Sequence, residues 1–509
     1  MYRYLKFSLA PAAFLLLASC AGNSSGNVRR DFDAGLYGSS YEKLTALSRK
    51  DGRNEHLHLL ERGVVSLALA RPADTVRDLR LARDRLDDLS GTDYGGWLRS
   101  VMLDDRQLAF QGADYEHVLV RAMLALADLA DGNSEDAGAY ALQVASRQRE
   151  LIESFRARDG SLPKSTYSQV AFGSYLKAII DEEALKFDLA KIQFEKVKSI
   201  EPRFSPIDSD IERVTSGHHS KKGNGVVHVL ALVGSGPFRV EVDERVTRGS
   251  LAIAHHIWAG SRGRAVIPNI SRVKIPAVAV YEDNPTEVHV TVDGSSSGAT
   301  ALLADIEALA LEEFETIREH IVARAFLRRA FKIAATQLAI EAANKDNDRR
   351  EEYSDGDALR DLGISAVGLL WSALEGADLR CWSLLPASFQ ALRIELPEGE
   401  HSLSLRAGKN GAPAAAVREI KVRVKDGYNT YVVAIFSSAD GAACVLSSDT
   451  VEEPPPPAAP PASPCAPGRR LSCRRAKKAL PFDSRRNRLL VSPWARGSAW
   501  GGAKPAHQP

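Results

Sequence analysis

Long apolar runs are what this 509-residue chain has least of. Crossing the roughly 30 Å hydrocarbon core of a bilayer takes about 20 consecutive apolar residues. The best stretch in the body, Leu362 to Leu374, is shorter and suits a buried helix. Cysteine is scarce too: five in all, without metal-ligand spacing, which argues against a zinc-stapled fold. Missing as well are a His-Glu-x-x-His helix, a Gly-rich dinucleotide turn and a Gly-Lys-Ser/Thr phosphate loop. No catalytic residue, cofactor-binding residue or metal ligand is therefore singled out. The expectation is a protein that is not an enzyme and uses no cofactor.

Net charge is nearly absent, at +1, but it is unevenly spread. From Cys465 onward eleven Lys and Arg residues face Asp483 alone, a balance of +10, so the rest of the chain carries −9. The Pro-rich stretch from Glu453 to Pro467 cannot pack and is expected to be extended. Residues 453–509 thus read as a Pro-rich, basic, disordered tail that contacts peptidoglycan or another anionic polymer by charge, or else is merely solvated. Nucleic acid is not an expected partner of an exported chain.

Export is read from the start. Arg3 and Lys6 precede an apolar stretch from about Phe7 to Leu17, too short to span a membrane, and Leu17-Ala18-Ser19-Cys20 follows. This pattern resembles the bacterial lipobox, which implies a signal peptide over 1–19 and a diacylglycerol on the Cys20 thiol. Ala21 next to it implies sorting to the outer membrane, facing the periplasm. Asn23-Ser24-Ser25-Gly26-Asn27 reads as flexible polar chain, so 20–40 is expected to be a lipidated tether.

The fold class expected is α+β. Helical repeats are predicted over 41–205, tetratricopeptide-like in spacing. Ala178, Ala190, Phe194, Val197 and Pro202 mark the clearest copy. Leu59 to Gly63 leading to Leu79 and Ala82, and Val118 to Leu129 turning at Asp131-Gly132-Asn133 into Ala137 and Ala141, mark two weaker ones. Stacked pairs leave a superhelical groove, either a peptide site or part of a rigid spacer. Arg121, Asp128 and Lys177 are its candidate lining.

A mixed strand and long-helix domain is predicted over 217–440, with a small antiparallel β-sandwich-like part. Its strands are expected at Val226 to Val233, Arg272 to Tyr281, Glu287 to Val292, Ala391 to Leu396, His401 to Arg406, Val417 to Val424 and Tyr428 to Phe436. Long helices are expected over Thr300 to Lys345 and Leu359 to Leu374. Glu312 and Glu313 read as solvated helix surface, and the pairs His218-His219 and His255-His256 as surface histidines. Cys381 in this domain and Cys444 just past its end are candidates for a disulfide, two free buried thiols being the alternative.

Asp114-Tyr115-Glu116, the Ala190 to Pro202 repeat, and above all Asp378-Leu379-Arg380-Cys381-Trp382-Ser383-Leu384-Leu385-Pro386-Ala387 followed by Leu396-Pro397-Glu398-Gly399, complete a pattern. Together with the lipobox it resembles a group of bacterial tetratricopeptide-containing outer-membrane lipoproteins of unknown function, over roughly residues 1 to 440. The resemblance implies the architecture and no activity. Arg380 and Trp382 read either as a binding feature or as a run that pins a helix end onto a sheet. The functional expectation is an envelope scaffold, held to the membrane by its lipid, that recruits envelope proteins through its helical repeats. The alternative is a polymer- or lipid-binding module built on the C-terminal part.

Overall fold

The computed structural model describes residues 24–90, 108–159, 169–259, 270–347, 376–439, 443–449 and 489–491. Cys20, the signal segment, the helix expected over 359–374, and Cys465 and Cys473 lie outside the described residues.

The first half is helical: α1 (Ser24–Asp33), α2 (Tyr37–Lys50), α3 (Glu55–Ala68), α4 (Pro72–Ser90), α5 (Asp114–Ala130), α6 (Ser134–Asp159), α7 (Ala171–Glu183), α8 (Phe187–Ile200) and α9 (Ile207–Thr215). The pairs α3–α4, α5–α6 and α7–α8 form hairpins that stack in chain order. The expected turn between α5 and α6 is present: Gly132 adopts φ +80, and the Asn133 side chain accepts the Asp136 N–H to start α6. Small residues set the spacing, since a Cβ on Gly173 of α7 would stand 2.9 Å from the Ala141 carbonyl of α6. Ala178, Ala190, Phe194 and Val197 are fully buried, whereas Pro202 is exposed.

α1 corrects the expected tether. Val28 and Phe32 fall one helical turn apart and are both buried, so the chain is helical from Ser24 and packed from Val28 onward. Reading five small polar residues as flexible chain missed the apolar pair just behind them.

The second half holds β1 (Asn224–Val233), β2 (Phe238–Arg245), α10 (Arg248–Ala259), β3 (Arg272–Tyr281), β4 (Glu287–Val292), β5 (Ser295–Ala299), β6 (Ala301–Asp305) and α11 (Ile306–Asn347). After these come β7 (Ser388–Pro397), β8 (Gly399–Lys409), β9 (Ala412–Pro413), β10 (Arg418–Val424), β11 (Asn429–Phe436), β12 (Ala443–Ser447) and β13 (Leu489–Val491). The main sheet runs β12-β11-β1-β7-β6 and a second runs β10-β8-β4-β5. Within the main sheet only β1 and β11 pair in parallel. The two sheets face each other across an apolar core that includes Val227, Val229, Ala231, Val290, Leu403, Leu405, Val422 and Ala434. The tight turns at Pro397–Gly399 and 425–427 each carry the chain from one sheet to the other. The expected long helix starts at Ile306, not Thr300, because Ala301 to Asp305 first pair with β7 as an edge strand.

The main sheet is covered on both faces, which explains why β1 and β11 are buried along nearly their whole length. Its other face carries the first helix of successive hairpins: α3 touches β12, α5 touches β11 and α7 touches β6. α5 lies between helices and sheet and is buried along its whole length from Tyr115 to Ala130. The inward side of the helical stack, expected to be a groove, is thus filled by the chain's own sheet. β2 and β3 form a separate small sheet on which α11 packs. In the tail, Leu489–Val491 adds a short strand to the Tyr281 end of β3, a local exception to the expected disorder.

Candidate functional site

The segment 376–387 runs along the seam between helices and sheets, and buried carboxylates hold its backbone. Glu61 of α3 accepts the N–H of Ser383 at 2.7 Å, its hydroxyl at 2.9 Å and the N–H of Leu384 at 3.1 Å. Glu116 of α5 accepts the Trp382 N–H at 2.7 Å and, reaching back, the Ala113 N–H at 2.6 Å at the start of its own helix. Glu313 of α11 accepts the N–H groups of Asp114 and Tyr115 at 2.8 and 2.9 Å, capping α5 with a carboxylate from across the fold. From the loop itself, Arg380 donates to Asn54 at 2.6 Å and to the Leu108 carbonyl at 2.9 Å, while Asp378 holds its other nitrogens. Arg29 of α1 donates to the Ser383 carbonyl and stands over the Tyr281 ring.

The electrostatics follow from burial. Glu61 is pushed up to about 7 because it is buried, its bonds to Ser383 and Leu384 and the nearby Arg29 only partly opposing the shift. Glu116 rises for the same reason, with the Arg239 guanidinium pulling the other way. Trp382 is fully buried in the loop these carboxylates fasten. Of the two readings of the Arg380–Trp382 run, the geometry matches the pin. Arg380 and Trp382 are occupied in joining α3 and α5 to the start of β7.

A second buried polar group lies on the helix-facing side of the main sheet. In register across three strands stand Arg393 of β7, His228 of β1 and Tyr431 of β11. The His228 ring stacks on Tyr431, with centroids 5.9 Å apart. Burial, then Arg393 and Arg213, hold its pKa well below the ordinary value, so the imidazole is neutral. Arg213 of α9 grips Glu182 at 2.7 and 3.0 Å and Asp210 at 2.7 Å. Asn429 donates to the Ile179 carbonyl at 3.1 Å, and Tyr431 to Glu183 at 3.0 Å. This layer fixes α7 on the sheet and α9 on α7.

Two cavities at the seam have enclosed volumes of about 20 and 10 Å³. One is lined by Tyr115, Val118, Leu309 and Glu313 among others, the other by Arg29, Phe32, Val64 and Leu385. Each has room for about one water, far short of the several hundred Å³ that a bound metabolite fills.

The expected groove positions are internal. Arg121 is buried and donates to the His117 carbonyl at 2.7 Å and to Asp87 at 2.5 Å. Asp128 is buried, with Arg80 3.8 Å away, and burial pushes it up to about 6. Lys177 pairs with Asp181. Arg121 and Asp128 thus join α5 to α4, while Lys177 is half-buried and pairs within its own helix α7. Glu313 is buried, contrary to the solvated surface expected of it, because it caps α5. Arg328 of the same helix is buried as well.

Of the histidine pairs, His218 and His255 are exposed, but His219 is buried against Asn429 at 2.9 Å. Among the described residues no group of three or more His, Cys, Asp or Glu is placed to hold a metal ion. Cys381 and Cys444 are free thiols and not a bridge. Cys381 sits in the loop beside Glu116, while Cys444 lies on β12, opposite Ile435. Sequence reasoning missed Glu61, Asn54 and the His228 row. The signal available was a lone carboxylate inside an apolar helical run.

No family model matches the chain, and no curated protein or solved structure matches it.

Proposed function

We propose that this chain is a lipid-anchored adaptor of the bacterial envelope: Cys20 holds it to the outer membrane, and its tetratricopeptide-like hairpins present an outward surface to an envelope protein. The observation that carries this reading is an uncovered apolar stripe. Leu185, Leu189 and Ile192, at the turn into α8 and along its outer side, are 66, 50 and 49% exposed, while the inward side of the stack is taken by the chain's own sheet. Leu189 and Ile192, three apart on α8, share one helix face, with Leu185 exposed at the turn before it, and uncovered apolar patches mark interaction surfaces. A partner thus docks on the outside of the stack, not in a groove. No catalytic role is assigned.

The test is crosslinking in cells with the tagged chain, comparing wild type with Leu189→Asp/Ile192→Asp. Both residues are exposed, so each change is expected to cost no more than about 0.5 kcal/mol of stability. The expected result is loss of specific captured envelope proteins. An unchanged set would sink the adaptor reading. Labelling with a radioactive fatty acid tests the anchor, because label persisting in Cys20→Ala would remove it.

The charge split, +10 in the tail against −9 elsewhere, supports a second reading in which the tail holds peptidoglycan or another anionic polymer. Pull-down on isolated peptidoglycan with and without residues 453–509 separates the two.

A further inference from the structure

We propose that α1 is the membrane-facing surface of the body, so that the lipid clamps the protein against the bilayer at one end and leaves the α8 stripe at the other. The proposal rests on acylation of Cys20. Only residues 21 to 23 separate Cys20 from α1, and four Cα–Cα steps reach at most roughly 14 Å. A flexible tether over 20–40 would instead have given a typical reach of about 25 Å.

α1 cannot lengthen that reach by peeling away without breaking named contacts. Val28 and Phe32 are buried, the Ser40 hydroxyl donates to the Val28 carbonyl, and Asp31 receives both Ser39 and Lys43. Arg29 is fastened to the Ser383 carbonyl of the seam. The outward side of the helix carries Gly26, Asn27 and Arg30, all exposed. Asn27 lies about 5 Å further along the axis than Ser24. This small cationic and polar face suits lipid headgroups.

The opposite end is fixed by β11. Ile435 and Ser437 line the same cavity as Arg29 and Phe32, whereas the Asn429 N–H donates to Glu183 at the end of α7, two residues before Leu185. Six strand steps, about 20 Å, separate Asn429 from Ile435. The anchor and the apolar stripe therefore lie at opposite ends of one strand.

The experiment places the photo-crosslinker benzoylphenylalanine at position 27, 30 or 428 of the full chain in cells. Tyr428 is the control, being 61% exposed at the far end of β11. Intact mass reports both acylation of Cys20 and lipid adducts. Lipid adducts are expected at 27 and 30 and not at 428, falling about tenfold or more when twenty Gly and Ser residues are inserted after Asn23. Acylated chain with equal adducts at 27 and 428, or with adducts at 27 unchanged by the insertion, overturns the proposal. Chain with an unmodified Cys20 overturns the anchor reading itself and the proposal with it.

Discussion

The two faces of β1 are built on different principles. Val227, Val229, Ala231 and Val233 point into an apolar core shared by two sheets. His228 points the other way, under the helices, into a layer of buried arginines, carboxylates and aromatic rings. Apolar burial is strong but non-directional, roughly 25 cal/mol per Å² wherever the area is removed from water. It holds the sheets together without dictating how a helix sits above them. The hydrogen-bonded layer and the seam supply that direction, since a buried donor left without its acceptor costs about 1–3 kcal/mol. The molecule spends its apolar residues on cohesion and its buried charges on the placement of helices.

Trp382→Ala is the largest test of this division. Trp382 fills the seam, and truncating a buried Trp costs about 3–5 kcal/mol. Urea unfolding is expected to show a loss of that size. Amide exchange is expected to accelerate along 376–387 and in α3 and α5, but not in the strands of the sandwich. A loss under about 1 kcal/mol, typical of a surface change, would mean that helices and sheets adhere without the loop.

Ionisation of Glu61 is the next lever, and its sign can be worked out. Its carboxyl is raised from 4.5 to about 7 in the fold, so the native state binds more protons than the unfolded chain between those values. Its contribution is fully present below pH 4.5 and is lost as pH rises through 7. Urea midpoints for the wild type and Glu61→Gln at pH 5 and pH 8 isolate the effect from other groups. The wild type is expected to lose on the order of 2–3 kcal/mol relative to the Gln variant on going to pH 8. No difference between the two slopes would show that Glu61 keeps an ordinary carboxyl, and the seam would then be wetter than described.

The same division explains what was legible in the sequence. β1, β3, β4, β7, β8, β10 and β11 announce themselves by alternation or by short apolar runs, because each shows a face to one of the cores. β2 does not, since it is half-exposed and carries Glu241, Asp243 and Glu244. Alternation says which side of a strand is buried and nothing about its neighbour, so the crossing of the chain between sheets at Pro397–Gly399 was out of reach. The seam was harder still. Glu61 receives its donor from 322 positions away, and its place inside an apolar helical run does not say what it holds. Asp378 to Pro386 stood out as a run, but whether it bound a ligand or joined two layers depended on those distant carboxylates.

The smallest expected effect concerns the two thiols, one at the seam and one on the edge strand β12. If Cys381 and Cys444 were bridged, the closed loop of about sixty residues would contribute on the order of 4 kcal/mol, and reduction would move the unfolding midpoint accordingly. Both are instead free, with burial pushing Cys381 up to about 12 and Cys444 up to about 11. Thiolate is the reactive form, so both are expected to resist alkylation in the native state at pH 8, and Cys381 more than Cys444. Dithiothreitol is expected to leave the unfolding midpoint unchanged, and alkylation in urea without reductant to modify both positions, as mass mapping would read. A midpoint that drops on reduction, with Cys381 and Cys444 blocked to alkylation until then, would place a covalent link between the seam and β12. The placement of this loop would then rest on covalent closure as well as on the carboxylates of α3 and α5.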